Sequence, residues 1–345
     1  MRKHLLPLAL LLTATPALPQ ASANIAAGRA QTSPLAPAEI VNAAPKADWA
    51  AIAASDLLVM DLAPDAKGKP RRVVIQLMPA PFSQGWVSNI RKLAAARFWD
   101  GTSINRVQDN YVVQWGDANA EDKAKAKRLP DGLAVMTEAD YAVPVTDSEW
   151  AALAQIAADG AAQAAMEASA IADGSSQSKA PTARYLATDP YARTTTFAEG
   201  WPWTYEISGR SSVHCYGMVG VGRDMPPNTG TGAELYIVIG HAPRHLDRNI
   251  ALVGRVIEGI EHMSSLPRGT GALGFYETPE ERTGIVSVRI GSEVSGLPAY
   301  EYLSTESESF ARYADARANR RDAFFIRPAG GADVCNIPVP VRRVK

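Results

Sequence analysis

The sequence predicts a mainly β fold with a few helices. Of its 345 residues, 46% are hydrophobic, 26 are glycine and 24 are proline. Glycine and proline mark turns, and short runs rich in valine and isoleucine lie between them, which is the pattern of many short strands. The apolar content is enough for one large core or two small ones, and it excludes a chain that is disordered throughout.

Two strands and a helix are predicted in the first third of the chain. The strands are SDLLVMDL (55–62) and RRVVIQLM (71–78), and the turn-rich segment between them indicates a hairpin. Apolar residues at helical spacing predict a helix over about 83–96. The segment 100–117 then predicts two more strands around a polar turn.

A long insertion is predicted over about 118–210, charge-rich at first and alanine-rich later. Thr146 and Glu149 fit a capping box, so this insertion should carry a helix. Downstream, the sequence predicts four strands and two helices within the segments 216–223, 233–240, 251–266, 284–291 and 307–320.

The N-terminus has the pattern of a secretory signal over residues 1–23. Arg2 and Lys3 precede an apolar stretch, 5–12, and Ala21-Ser22-Ala23 supplies the small residues of a cleavage site. That stretch is shorter than the roughly 20 residues that span a bilayer, and no later segment is long enough. We therefore expect a periplasmic or secreted protein without a membrane span.

The remaining organisation follows from composition. A stretch rich in alanine and proline predicts a linker, and the charge balance, 35 basic against 36 acidic residues, argues against a nucleic-acid partner. The predicted parts are a signal peptide over 1–23, a linker over 24–54, a main domain over 55–292 and a C-terminal extension over 293–345.

Cys215 and Cys335 are the two cysteines. In an oxidising compartment such a pair favours a disulfide that ties the C-terminal tail to the body of the protein. Two buried, unpaired thiols remain the alternative, because sequence does not show how far apart the residues lie.

The sequence gives little support for a metal site, a catalytic nucleophile or a dinucleotide-binding loop. His241 and His245 are four residues apart, but Pro243 lies between them and no carboxylate cluster is near, so we expect no metal and no cofactor. No serine, cysteine or threonine lies in a sequence pattern typical of a catalytic nucleophile. The residues of a catalytic triad can be far apart in the sequence, however, so a hydrolase remains an alternative. GMVGVGRD (217–224) lacks the helix that a dinucleotide loop needs, so a tight bend in a sheet is favoured.

The segment FWDGTSINRVQDNYVVQWGD (98–117) resembles the cyclophilin signature, in which an aromatic-Asp-Gly start leads through Phe-His-Arg-Val to Gln-Gly-Gly-Asp. Three further segments resemble cyclophilin blocks in the same order, at 73–93, 217–239 and 244–263. The resemblance is to a divergent, exported bacterial form of the family. It implies a closed antiparallel eight-stranded barrel capped by two helices, interrupted here by the partly helical insertion.

The resemblance also implies peptidyl-prolyl cis/trans isomerase activity on proline-containing clients, in the folding of exported proteins. Rotation about an amide has a barrier of ~18–20 kcal/mol, and a fixed guanidinium can lower it by donating to the prolyl nitrogen or the carbonyl oxygen of the twisted state. Arg106 matches the catalytic arginine. The positions that match the substrate-binding pocket are Tyr111, Val112, Gln114, Glu234, Tyr236, His245 and Leu246.

Several of these positions differ from the family pattern. Glu234 replaces a glutamine that contacts substrate, and His245 replaces a tryptophan. Glu234 could orient Arg106 or occupy its donors, so a structural ion pair on the barrel wall is the alternative for this arginine. The corresponding alternative function is a catalytically weak or inactive cyclophilin-like chaperone or binding module.

Overall fold

The structure is a computed structural model that describes residues 34–155, 158, 189–207 and 209–344. The helices of this part of the chain are α1 (Pro37–Ala43), α2 (Gln84–Ala95), α3 (147–155), α4 (Glu261–Ser264) and α5 (Glu308–Ala318). Its strands are β1 (Trp49–Ile52), β2 (Leu57–Leu62), β3 (Arg71–Leu77), β4 (Ser103–Val107), β5 (Val112–Gly116), β6 (Thr194–Ala198), β7 (Trp201–Glu206), β8 (Gly209–Ser212), β9 (Met218–Val221), β10 (Leu235–Val238), β11 (Leu252–Glu258), β12 (Ile285–Ile290), β13 (Tyr300–Leu303) and β14 (Val341–Arg343).

Eight antiparallel strands form one sheet in the order β12-β2-β3-β11-β9-β10-β5-β4. Its two edge strands meet, because the N–H of Gly101 donates to the carbonyl of Ile285 at 2.9 Å and the N–H of Ile285 donates to Thr102 at 2.8 Å. These bonds join the strand ends without a continuous ladder. The predicted eight-stranded barrel is thus confirmed, and it is nearly rather than fully closed.

The helix α2 caps the barrel with an apolar face. Trp86, Ile90 and Leu93 are fully buried, which confirms the helical spacing of the sequence, and all three belong to the core inside the barrel. The second helix, α4, is a single turn that buries Met263.

Strands β5 and β10 alternate between the core and a second apolar layer outside the barrel. Val113 and Ile237 join the core, whereas Val112, Tyr236 and Val238 form a separate cluster. Because neighbouring residues of a strand point to opposite faces, this second cluster lies on the outer face of the sheet.

The stretch predicted as an insertion contains a three-stranded sheet, β6-β7-β8, which the sequence prediction missed. The alanine-rich helix begins as expected. The Thr146 N–H donates to Glu149 at 2.8 Å, and the Glu149 N–H donates to Thr146 Oγ1 at 3.3 Å. Most of the remaining predicted helix lies outside the described residues.

A third sheet joins the two ends of the described chain. Strand β13 lies between β1 and β14, and α1 packs near α5 around a core that includes Phe310. Residues 34–54 of the predicted linker are therefore folded, as is much of the C-terminal extension. Cys215 and Cys335 form a disulfide that links this unit to the barrel. The predicted signal, residues 1–23, lies outside the described residues, and no helix within them is long and apolar enough to cross a membrane.

Candidate active site

Four residues form one row across the outer face of the barrel. Arg106 of β4 is the cross-strand partner of Gln114 in β5, Gln114 pairs with Tyr236 in β10, and Tyr236 pairs with Gly220 in β9. Directly opposed residues of neighbouring strands share a face, so the guanidinium, the amide and the phenol ring lie side by side. This brings together residues 106 and 236, which are far apart in the sequence.

The guanidinium of Arg106 is held by three acceptors. Its Nε donates to the carbonyl of Leu273 at 2.7 Å, and its Nη1 donates to Gln114 Oε1 at 3.0 Å. Its Nη2 donates to Gln108 Oε1. Arginine carries five N–H groups, so these three bonds fix the plane of the group and leave two N–H groups for other acceptors.

Two aromatic rings flank the same guanidinium. The Cζ of Arg106 lies 5.7 Å from the ring centre of Tyr111 and 5.3 Å from that of Phe275. Both distances are in the range of a cation–π interaction. Burial lowers the pKa of Arg106, while Tyr111 and Glu234 act in the opposite direction. The group is half-buried and cationic, and its orientation is fixed from several sides.

Glu234 reaches Arg106 only through Gln114. The Gln114 Nε2 donates to Glu234 Oε1 at 2.7 Å, which turns the amide oxygen toward Arg106. Within the described residues, Arg106 and Glu234 form no direct ion pair. Burial raises the pKa of Glu234, and the bond from Gln114 opposes this shift.

The backbone before Glu234 is held by the helix α2 that caps the barrel and by Trp99, which follows this helix. Trp86 Nε1 donates to the carbonyl of Gly230 at 3.0 Å, and Asn89 Nδ2 donates to that of Thr231 at 3.0 Å. Trp99 Nε1 donates to Ala233 at 2.8 Å. Buried carbonyl groups need such donors, and these three set the position from which β10 starts.

Apolar residues beside Arg106 form a floor on the barrel surface. Val112, Tyr236 and Val238 are buried, and Tyr111 and Ile250 pack against them. The imidazole of His245 stacks beside the ring of Tyr111, with 6.5 Å between the ring centres.

Leu246, the remaining predicted pocket residue, is not part of the floor. Leu246 is half-buried in the turn next to His245 and lies outside the apolar cluster of the floor.

A cavity of about 480 Å³ opens on the other side of the site, between the segments 117–136 and 222–234, with Glu234, Arg223 and Met136 in its lining. No group of three or more potential metal ligands occurs in the described part of the chain.

Several site residues carry no signal in the sequence. Gln108 lies two residues after Arg106 in the chain, but Leu273 and Phe275 come from a segment without a recognisable pattern. His214 and Asp247 also contact the site, because His214 Nε2 lies 2.9 Å from the Tyr236 hydroxyl and Nδ1 lies 2.9 Å from Asp247 Oδ1. Asp247 lies in the segment 244–263 that resembles a cyclophilin block, whereas nothing near His214 predicts this contact.

An eight-stranded barrel with a fixed arginine beside an apolar floor on its outer face defines the cyclophilin class of protein. The sequence profile described as cyclophilin-type peptidyl-prolyl cis-trans isomerase matches residues 71–290. This match spans more than half of the chain, so the protein belongs to that family. No curated protein sequence matches the chain.

A solved structure shows the same fold. A cyclophilin from Hirschia baltica, AquaCyp293, is 21% identical and superimposes with a TM-score of 0.55, covering 86% of this chain and 94% of its own. A cyclophilin-type peptidyl-prolyl cis-trans isomerase from Cryptosporidium parvum is 11% identical, with a TM-score of 0.36, and covers 68% of this chain and 97% of its own.

Proposed function

We propose that this protein is a peptidyl-prolyl cis/trans isomerase that assists the folding of exported proteins, with Arg106 stabilising the twisted X-Pro amide. The observation that carries the proposal is the position of the Arg106 guanidinium, which three acceptors hold beside the apolar floor of Val112 and Tyr236. The substrate class is a polypeptide whose prolyl ring lies on that floor.

The chemistry requires no covalent intermediate. As the X-Pro bond twists, the nitrogen lone pair is freed from conjugation, so the nitrogen becomes a better acceptor while the carbonyl oxygen loses the negative charge that conjugation gave it. The two remaining N–H groups of Arg106 can donate to this nitrogen, an interaction that the planar amide cannot offer. Because Gln114, Gln108 and Leu273 already fix the guanidinium, it stabilises the twisted state without first having to reorganise.

The export part of the proposal rests on two further features. The first 23 residues have the pattern of a secretory signal. The disulfide between Cys215 and Cys335 suits an oxidising compartment, since such bonds are rare in a reducing cytosol. Cleavage after residue 23 in a periplasmic or secreted fraction, measured by mass spectrometry of the N-terminus, is the expected result. An intact N-terminus in the cytosol would contradict it.

A protease-coupled assay on an X-Pro peptide tests the enzymatic part. We expect turnover by the wild type and a loss of about 100-fold in kcat/KM for Arg106→Ala, the effect typical of removing one preorganised donor. Arg128→Ala is the matched control, because Arg128 is highly exposed and pairs with Asp131 rather than with a residue of the site. A wild type that binds a proline peptide without turnover would favour the binding module instead.

A further inference from the structure

The hydroxyl of Tyr236 lies at the buried end of the pocket floor. The cyclophilin pattern has phenylalanine at this position, so the hydroxyl group is a feature of this chain. Its cross-strand neighbour Gly220 makes room, since a Cβ at residue 220 would overlap the hydroxyl end of the ring. Burial raises the pKa of Tyr236 well above its usual value of 10.0, so the hydroxyl stays protonated and acts as a donor.

The acceptor for this hydroxyl is a fully buried histidine. His214 Nε2 lies 2.9 Å from the Tyr236 oxygen, and His214 Nδ1 lies 2.9 Å from Asp247 Oδ1. The same carboxylate oxygen accepts the backbone N–H of His214 at 2.9 Å. The carboxylate assigns the ring proton to Nδ1, which leaves Nε2 to accept from Tyr236.

Asp247 is itself held by a buried charge. The Nε of Arg244 donates to Asp247 Oδ2 at 2.6 Å, and its two Nη atoms donate to Asp189 at 2.8 and 3.1 Å. Asp333 lies 3.5 Å from Arg244 Nη1. The imidazole therefore has little freedom to rotate, because both of its nitrogens and the group that orients it have partners.

We propose that His214, oriented by Asp247, is a positioning residue of the proline site: it holds the ring of Tyr236 in the single orientation that shapes the floor for the prolyl ring. This inference rests on the proposed isomerase function. A floor contacts the prolyl ring equally in the planar and the twisted amide, so loosening it weakens the binding of both states. Loss of His214 should therefore raise KM and leave kcat nearly unchanged, which is the opposite of the effect expected for Arg106.

A double-mutant cycle on the full chain tests the inference. We expect His214→Leu and Tyr236→Phe each to raise KM for an X-Pro peptide about tenfold, the size expected for one lost buried hydrogen bond. The double variant should show the same tenfold rise rather than a hundredfold one, because His214 acts through the hydroxyl that Tyr236→Phe has already removed. If His214→Leu does not fold, Tyr236→Phe alone, which removes one oxygen atom, must still raise KM.

Tyr313→Phe is the matched control. Tyr313 is also buried, and its hydroxyl donates to the carbonyl of Pro338 at 2.7 Å in the core around α5. This variant should leave KM unchanged. A merely structural role of His214 would lower the folded fraction, and so apparent kcat, at an unchanged KM.

The outcomes separate the two proposals. Additive effects of His214→Leu and Tyr236→Phe, or an equal rise of KM in Tyr313→Phe, would overturn the positioning role. Turnover that depends on Arg106 but shows an unchanged KM in the His214 variant would overturn only this inference. A wild type without turnover would overturn the proposed function and this inference with it.

Discussion

Arg106 and Glu234 act on the two ends of one side chain, Gln114, and do not contact each other. The amide oxygen of Gln114 accepts from Arg106 at 3.0 Å, and its nitrogen donates to Glu234 at 2.7 Å. The direct ion pair that the sequence left open is therefore not formed. Instead, the carboxylate orients the amide, and the amide orients the guanidinium.

The first prediction concerns Glu234 as an acceptor. Glu234→Gln keeps an oxygen that can accept from Gln114, so we expect kcat/KM for an X-Pro peptide within about threefold of the wild type. Glu234→Leu removes the acceptor and should lower kcat/KM about tenfold, since the amide of Gln114 is then free to turn away. Equal losses in both variants would show that the negative charge, rather than the hydrogen bond, matters.

The second prediction concerns the charge of Glu234 and pH. Burial raises the pKa of Glu234 above its ordinary value of 4.5. A carboxyl group with a higher pKa in the folded chain contributes stability below its unfolded pKa, and this stability is lost as the pH rises through the folded pKa. We expect Glu234→Gln to raise Tm relative to the wild type more at pH 7 than at pH 4. Equal differences in Tm at the two pH values would contradict this.

The third prediction concerns the shape of the cation at position 106. Arg106→Lys keeps the charge, but a lysine cannot donate at once to Leu273, Gln114 and Gln108 in the geometry of a planar fork. We expect a loss of kcat/KM close to that of Arg106→Ala, about 100-fold. Activity within tenfold of the wild type would mean that charge alone is sufficient.

The fourth prediction concerns Gly220. A methyl group at this position would overlap the ring of Tyr236, so Gly220→Ala should displace the ring and lower the free energy of unfolding by ~1–3 kcal/mol. Urea unfolding and KM for an X-Pro peptide measure the two effects. Gly331→Ala is a control for the added methyl group alone, since no atom lies within 4 Å of a Cβ there and its φ is not positive. An unchanged KM in Gly220→Ala would argue against a rigid floor.

The fifth prediction concerns the disulfide. Cys215 and Cys335 are 120 residues apart in sequence, and closing a loop of this length restricts the unfolded chain strongly. We expect a thiol reductant to lower the free energy of unfolding by about 2–5 kcal/mol. The double variant Cys215→Ser/Cys335→Ser should be destabilised to a similar degree and should not respond to reductant. A reductant effect that persists in this variant would have another cause.

The barrel could be predicted from sequence because its signals are local. Strands such as β2 and β3 alternate with clear turns, and Trp86, Ile90 and Leu93 mark one face of a helix. The segments around Arg106 and Glu234, which resemble cyclophilin blocks, predicted how these elements are arranged in the barrel. Arg106 and Gln114 were identified as site residues through the resemblance, since both stand where the family pattern has them.

The contacts that the sequence prediction missed depend on residues that only the tertiary fold brings together. His214 and Asp247 are separated by 33 residues, and Leu273 reaches Arg106 across 167 residues. The strand β7, WPWTYE, was missed because it follows a long segment of low complexity and pairs within its own small sheet. The strands β1 and β14 are short and pair only with β13. The local sequence at either of them therefore does not predict a strand by itself.

The row formed by Arg106, Gln114, Tyr236 and Gly220 crosses two pairs of strands, β4-β5 and β9-β10, that are remote from each other in the chain. A shift of β5 by one residue would turn Gln114 to the interior and Val113 to the surface, and the row would be broken. No single segment of the chain therefore contains the whole site. A peptide spanning 100–117 has the arginine, the glutamine and Val112, but it lacks Tyr236 and Val238 of the floor. Assembly of the site coincides with assembly of the barrel, so an isomerase of this design is inactive until its own folding is complete.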